Sequence, residues 1–363
     1  MGFHSQPNVG CSCTVERVSV FEHMRGHEEV VFFNEPSVGL RAIVAIYSTA
    51  LGPAAGGTRF MPYATEHDAL NDVLNLSRAM AYKCAAAGLD LGGGKAVIIG
   101  DPSRDKTEAL LRAYGRCLQS LGGRYYTACD VGTYVEDMDV IAGECEFVTG
   151  GSTANGGAGD SSILTAVGVF EAMRAAAQHV WGEATLRGKR VGIAGVGKVG
   201  ARLAAHLLDD GARVVITDVN PDAIQRVRAA HPEVEVVEPD ALVAEPLDVF
   251  SPCALGGALT IDVVAALNAR VICGGANNQL ASDDLAEELV ARHVTYVPDF
   301  IANAGGIIQV GAEVRGYSET EAREMTMAIF DTTASVLAEA AAENLTPTYV
   351  AERRAEQRMT AGC

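Results

Sequence analysis

The sequence predicts an α/β fold of two domains, the second built around a doubly wound parallel sheet. Three observations predict it. The 363 residues suffice for two domains of ordinary size. From Lys189 onward the chain repeats apolar strand, Gly-rich turn, helix and strand, the rhythm of parallel strands joined by crossover helices. Ahead of that stretch lies "TGGSTANGGAGDSS", a Gly-rich segment that reads as a hinge. The expected boundaries are 1–155 for an N-terminal α/β domain, 156–315 for the second domain, and 316–363 for C-terminal helices that pack back on the first.

In the first domain, "EEVVFFNEP" and "LRAIVAIYST" read as paired strands broken at Pro36 and Gly39. Thr65 opens a helix, because Ala69, Leu70, Val73, Leu74, Leu76, Met80 and Ala81 recur at helical spacing as far as Gly88. Lys83 falls in its last turns. In "LDLGGGKAVIIGDP" the three glycines read as a turn and Ala96–Ile99 as a buried strand. Lys95 stands where the turn enters the strand. Lysine is rarely fully buried unless paired, so Lys95 either reaches water or is held in a pocket for chemistry. A nucleotide P-loop does not fit, since Leu89 and Ala96 occupy the places of its first Gly and its Ser or Thr. Ser103 caps a helix to about Leu121, which Gly122 and Gly123 end. "RYYTACDVGT" and the hinge follow, and a helix from Ser162 to about His179 leads into the second domain. After "YVPDFIANAGGIIQV" the chain is helical. Ser318 and Glu321 form a capping box for a helix reaching about Glu343, and Thr346 with Pro347 starts a last short one.

The second domain carries the strongest single motif. Val191–Ala194 is a strand, Gly195-Val196-Gly197-Lys198-Val199-Gly200 is a G-x-G-x-x-G turn, Ala201–Leu208 is a helix, and Arg213–Thr217 is a strand that Asp218 ends. This marks a Rossmann-type dinucleotide domain. Gly195 permits the tight turn, Gly197 lets a pyrophosphate approach the backbone, and Gly200 allows close helix–strand packing. The helix N-terminus offers N–H groups to the phosphates. Asp218 accepts from ribose hydroxyls and repels a 2′-phosphate, which favours NAD over NADP. FAD and a turn that binds nothing are the alternatives. The mid-chain position behind a separate domain favours a nicotinamide.

Composition excludes other classes. A net charge of −18 argues against general affinity for nucleic acid or anionic membrane. No apolar run approaches the roughly 18 residues of a membrane span, and the N-terminus has no apolar core of a signal peptide. Gly2 does not complete a myristoylation motif, because Gln6 stands where Ser or Thr is needed. The nine cysteines are scattered, with only Cys11 and Cys13 close together. Without metal-ligand spacings they read as free thiols in a reducing cytosol, and no metal is expected. Cys84 and Cys129 read as packing thiols. His23 and His27 show no partner pattern and are assigned to the surface.

The motifs "GPAAGGTRFMPYAT", "LSRAMAYKCAAAGLDLGGGKAVIIGDP", "YTACDVGT", "GDSSILTAVGV" and "FIANAGGIIQV" together resemble the amino-acid dehydrogenase family that includes glutamate, leucine, valine and phenylalanine dehydrogenases. The resemblance runs from about Glu28 to Val350, is closest to the leucine/valine branch, and leaves out the extension with Cys11 and Cys13. It implies a substrate domain followed by an NAD domain, a homo-oligomer, and oxidative deamination of a branched-chain L-amino acid, valine foremost. It also implies roles. Lys83 resembles the lysine that binds the substrate carboxylate, Lys95 the catalytic lysine, and Asp130 the acid that handles protons on the amino group. Gly56 and Gly57 resemble glycines that approach the substrate. Asn277 is similar to the asparagine between substrate and nicotinamide, and Thr165 to a threonine near the nicotinamide amide. Ala55 stands where glutamate dehydrogenases carry a lysine for a second carboxylate. Ala128, Ile307 and Val310 are the other positions of the side-chain pocket, and all are apolar.

The chemistry asks for these residue types independently. Oxidising an amine at Cα gives an iminium that water attacks, so a base must activate the water and later protonate nitrogen. A lysine does this near neutral pH when burial or a neighbouring cation lowers its pKa. Singly, Lys83 could be a helix-end lysine, Asp130 a turn cap and Asn277 a loop residue. Their co-occurrence in ordered motifs favours the functional roles. A glutamate or phenylalanine enzyme of the same family and a non-catalytic NAD sensor are the rivals.

Overall fold

The computed structural model describes residues 20–362. Gly2, Gln6, Cys11 and Cys13 lie outside the described residues. A short helix α1 (Val20–His23) precedes the first sheet. That sheet contains β1 (Glu29–Glu35), β2 (Leu40–Ser48), β3 (Ala54–Met61), β4 (Gly92–Ile99) and β5 (Tyr125–Cys129), in the order β1-β2-β4-β3-β5. β1 and β2 form the expected antiparallel pair, β4 runs antiparallel to β2, and β3 is parallel to both β4 and β5.

Side-chain alternation divides the two faces. Leu40, Val44, Ile46, Ala96 and Ile98 pack with Leu110, Tyr114 and Ile141 of α3 (Glu108–Gln119) and α4 (Val135–Ala142). Ile43, Ala45 and Val97 pack with Ala69, Val73 and Leu74 of α2 (Glu66–Ala86). Successive strand residues face opposite ways, so Lys95 shares the α2 face with Val97. Lys83 belongs to that same helix.

The three glycines before Lys95 correct the sequence reading. They form no turn but are the first residues of β4. A Cβ on Gly92 would lie 2.0 Å from Ser48 O, one on Gly93 2.1 Å from Ala81 N, and one on Gly94 2.7 Å from the Tyr125 ring. Glycine is needed there because a helix and two strands close on the backbone. Helix α2 starts at the Thr65 capping box as expected. The next helix begins later than Ser103, which instead bonds Asp101 within a turn. Thr107 is the actual cap of α3. His27 is not a surface residue. It is buried, with Nε2 within 2.8 Å of Ser77 Oγ.

Helix α5 (Ser162–Trp181) leads into the second sheet. Strands β6 (Arg190–Ala194) and β7 (Arg213–Thr217) flank α6 (Lys198–Asp209), and α7 (Pro221–Ala230) precedes β8 (Glu235–Val236). β9 (Val249–Pro252), α8 (Ile261–Ala266), β10 (Val271–Ile272), α9 (Leu285–Ala291) and β11 (Thr295–Tyr296) complete the alternation. The order is β11-β10-β9-β6-β7-β8, parallel throughout. This is the doubly wound sheet, with its reversal beside β6.

The remaining helices are α10 (Asp299–Ala302), α11 (Gly305–Arg315), α12 (Glu319–Met327), α13 (Ile329–Glu343) and α14 (Pro347–Ala361). The Ser318–Glu321 capping box forms, but the single helix expected behind it breaks at Ala328. The break lets both α12 and α13 lie against α5. The last helix has 15 residues and is not short. It packs on α2, where Tyr82 Oη donates to Glu356 Oε1 at 2.6 Å. Arg358 donates to Leu89 O at 2.6 Å, Gly88 O at 3.1 Å and Ala85 O at 3.4 Å, covering carbonyls at the end of α2. Helix ends leave such carbonyls without intrahelical partners.

Candidate active site

Four polar side chains meet in two bonded pairs, Lys95 with Asp130 and Lys83 with Asn277, near enough for Lys83 to feel the charges of the first pair. Lys95 comes from β4, Asp130 follows β5, Lys83 occupies the last turn of α2, and Asn277 lies in the loop after β10. Lys95 is 6% exposed, and its Nζ donates to Asp130 Oδ2 in an ion pair. The lysine entering a core strand is therefore a paired one. Asp130 Oδ1 accepts from Val131 N at 2.6 Å and faces Arg59 Nε at 3.8 Å. Arg59 in turn pairs with Asp72 at 2.9 Å. Burial pushes the Asp130 carboxyl up, but the Lys95 ammonium and the Arg59 guanidinium outweigh it and hold the group below the usual carboxylate range.

Thr133 fixes the loop that carries Asp130. Its Oγ accepts from Asp130 N at 2.9 Å and donates to Thr58 O at 2.7 Å. Gly132 adopts φ 78°, the region that favours glycine, and a Cβ there would lie 1.9 Å from Phe60 O. Gly56 and Gly57 are buried in β3. A Cβ on Gly57 would press on Asp130, and one on Gly56 on Gly94 O. They bring β3 close to both catalytic candidates.

Lys83 Nζ donates to Asn277 Oδ1 at 3.2 Å, joining the two domains across the cleft. Burial lowers the Lys83 pKa to about 8; Asp299 opposes the shift and Lys95 adds to it. Asp299 is itself raised by burial, with its Oδ2 accepting from Gln279 N at 2.9 Å.

Of the four expected side-chain pocket residues, the structure places Ala128 and Val310 on one interdomain cavity of about 430 Å³. Thr133, Gln309, Glu313 and Lys198 line it too. Ala55 and Ile307 are buried in the main core and are not among its walls.

The residues of the glycine turn fit a dinucleotide. Gly195 has φ 99°, a Cβ on Gly200 would lie 2.0 Å from Gly195 O, and a Cβ on Gly197 would meet nothing within 4 Å. No side chain caps α6 at its start, so helix N–H groups are available to a phosphate. Val199 packs against Gly275, and Lys198 reaches the cleft cavity. Asp218 Oδ2 accepts from Val196 N at 2.7 Å and Oδ1 from Asn220 N at 2.8 Å. These bonds aim the carboxylate along the turn and leave it acceptor capacity for a ribose. Thr165 donates to Ser161 O at 2.9 Å, and Gly306 leaves room beside its hydroxyl.

Among the described residues no group of three or more His, Cys, Asp or Glu could hold a metal ion, and no helix is long and apolar enough to cross a membrane. The six described cysteines, Cys84 and Cys129 among them, are free. Sequence reasoning missed Arg59, Asp299 and Asn303. Arg59 and Asn303 lie inside "GGTRF" and "FIANAGG", motifs already singled out, but nothing in their spacing ties them to Asp130 or Asn277.

Residues 27–147 match the family described as Glu/Leu/Phe/Val dehydrogenase, dimerisation domain, and residues 156–358 match Glutamate/Leucine/Phenylalanine/Valine dehydrogenase. The chain is 57% identical to the valine dehydrogenase of Streptomyces virginiae over 337 residues, 92% of this chain and 94% of that one. It is 44% identical to the leucine dehydrogenase of Geobacillus stearothermophilus over 345 residues, 94% of each. Among solved structures, L-tryptophan dehydrogenase from Nostoc punctiforme matches with a TM-score of 0.84 at 39% identity, over 95% of this chain and 99% of that one.

Proposed function

The chain belongs to the Glu/Leu/Phe/Val dehydrogenase family, and from that premise we propose that it oxidises L-valine and related branched-chain L-amino acids with NAD, giving the 2-oxo acid, ammonium and NADH. It is an amino-acid dehydrogenase with a nicotinamide cofactor. The observation that carries the substrate reading is the interdomain cavity, whose wall includes the apolar Ala128 and Val310 and which reaches the loop of Asp130 through Cys129 and Thr133. An aliphatic side chain fits such a wall. Neither Ala128 nor Val310 offers a partner to a second substrate carboxylate, which would lose hydration against them at a cost of about several kcal/mol. The valine dehydrogenase relatives support the same choice.

The geometry supports a division of labour. Lys83 pairs with the α-carboxylate. Asp130, kept ionised by Lys95 and Arg59, takes the proton that the substrate ammonium must lose before Cα can release hydride. The nicotinamide, when bound on the glycine turn, supplies the hydride acceptor. Lys95, once it has released its own proton to solvent, takes one from the water that attacks the iminium carbon and returns one to nitrogen as ammonium leaves. Glycines 56, 57, 93 and 94 let β3, β4 and α2 pack closely around these groups. We place the enzyme in the cytoplasm, consistent with its free thiols, and read it as a homo-oligomer because its first domain matches a dimerisation domain.

Following NADH absorbance with valine, leucine, isoleucine, glutamate and phenylalanine tests the proposal. The three aliphatic substrates should lie within about two orders of magnitude in kcat/KM, because one methylene is worth only ~1–3 kcal/mol. Glutamate or phenylalanine as best substrate would overturn the reading, and no turnover of any amino acid would favour a sensor.

A further inference from the structure

Asn303 closes α10 and is 3% exposed. Its Nδ2 donates to Asn277 Oδ1 at 2.8 Å, Gly275 O at 3.2 Å and Ala276 O at 3.2 Å. Its own Oδ1 is buried without a partner. Three oxygens around one NH2 settle which end of the carboxamide is which, since the reverse orientation would set oxygen against oxygen. Gln279 repeats the pattern below it. Fully buried, it donates to Gly274 O at 2.9 Å and Ala276 O at 3.0 Å, and its Oε1 is also unpartnered. Two buried carboxamides thus spend their NH2 groups on one four-residue loop and leave their oxygens unsatisfied. Such groups are uncommon in folded proteins and ask for an explanation.

The loop they brace ends in Asn277. Asn277 Oδ1 receives both Asn303 Nδ2 and Lys83 Nζ, which uses both of its lone pairs. The Asn277 NH2 is therefore turned away from these donors. Nδ2 and Oδ1 share one carbon, and Oδ1 is 3.2 Å from Lys83 Nζ, so a carboxylate spanning two oxygens on Lys83 has one of them within reach of that NH2. We propose that Asn303 is a positioning residue: it locks the Asn277 carboxamide so that its NH2 donates to the second oxygen of the substrate carboxylate held by Lys83. The inference rests on the assignment of Lys83 to the carboxylate. Asn303 itself touches no substrate.

A double-mutant cycle separates positioning from plain stability. Asn303→Ala, Asn303→Leu (similar size, no donor), Asn277→Ala and the double variant Asn277→Ala/Asn303→Ala are compared by calorimetric binding of 3-methylbutanoate to the enzyme–NADH complex. NADH affinity is measured alongside. This readout does not depend on turnover, so it stands even if the amino-acid panel fails. Asn303→Ala or Asn303→Leu should weaken 3-methylbutanoate binding ~10-fold, as expected for loss of a hydrogen bond to a charged group, with NADH affinity within about twofold. On the Asn277→Ala background, Asn303→Ala should add less than about twofold. Additive losses, or an equal loss of NADH affinity, would show a merely structural role and overturn the proposal. If 3-methylbutanoate binding is also indifferent to Lys83→Ala, it is the carboxylate assignment that fails.

Discussion

Replacing Gly93 by alanine probes the packing that aims Lys83. The added Cβ would lie 2.1 Å from Ala81 N, 2.3 Å from Ala81 Cα and 2.4 Å from Ala81 Cβ. None of these atoms is the free end of a flexible side chain. Ordinary contact begins near 3.4 Å, so α2 and β4 must separate by roughly 1.3 Å. Overpacking of this kind costs about 1–3 kcal/mol. The displacement does not stay local, since Lys83 lies two residues beyond Ala81 on the same rigid helix. A misplacement of about 1 Å in a substrate-positioning group costs on the order of 10²-fold in rate. Gly93→Ala should therefore lower the urea midpoint and reduce kcat/KM by about two orders of magnitude, with the loss in kcat/KM exceeding any loss in NADH affinity. Gly197→Ala is the internal contrast. Its Cβ meets nothing within 4 Å, so stability should stay within about 0.5 kcal/mol while NADH affinity falls. A Gly93→Ala enzyme with the native urea midpoint and native kcat/KM would refute the claim that the glycines exist for close packing under Lys83.

Lys95→Ala should fold and bind NADH yet lose about 10²–10⁴-fold in turnover, the usual range for a general acid–base group; near-native turnover rules the assignment out. Lys83, lowered to about 8 by burial, is charged below that pH and neutral above it. Affinity of the enzyme–NADH complex for 3-methylbutanoate should accordingly fall as pH rises past about 8, whereas Lys83→Ala should bind weakly at every pH. A flat profile in the native enzyme contradicts this. Asp218 should make NAD the preferred cofactor, because a 2′-phosphate would meet its carboxylate. Equal kcat/KM for NADP would remove that reading.

What was legible in the sequence was local. The βαβ rhythm, the glycine turn with Asp218 at its far end, and the caps at Thr65, Ser318 and Thr346 depend on neighbours a few residues apart. The structure reproduces each of them. The errors came from contacts that no window reveals. Gly92–Gly94 look like a turn until Ala81 and Tyr125 are seen pressing on them. Ser103 has the chemistry of a helix cap, yet it is used by a turn on Asp101, and Thr107 takes its place. Ala328 carries no break signal; the kink there follows the surface of α5. His27 appeared partnerless because Ser77 lies 50 residues away. The site was divided in the same way. Lys83, Lys95 and Asp130 were found through their motifs, whereas the chain Arg59–Asp130 and the chain Asn303–Asn277–Lys83 exist only in three dimensions.

Helix α14 comes after every element it supports, and its Arg358 covers the carbonyls of Ala85, Gly88 and Leu89, two to six residues beyond Lys83. A ribosome therefore delivers the first sheet, both lysines and Asp130 well before it delivers the guanidinium that finishes the helix holding one of them. Domains generally fold in the order of synthesis, so the nascent chain passes through a stage in which the first sheet is made while the end of α2 still lacks Arg358. On the role proposed for Lys83, a polypeptide stopped before α14 should bind amino acid more weakly than the full chain.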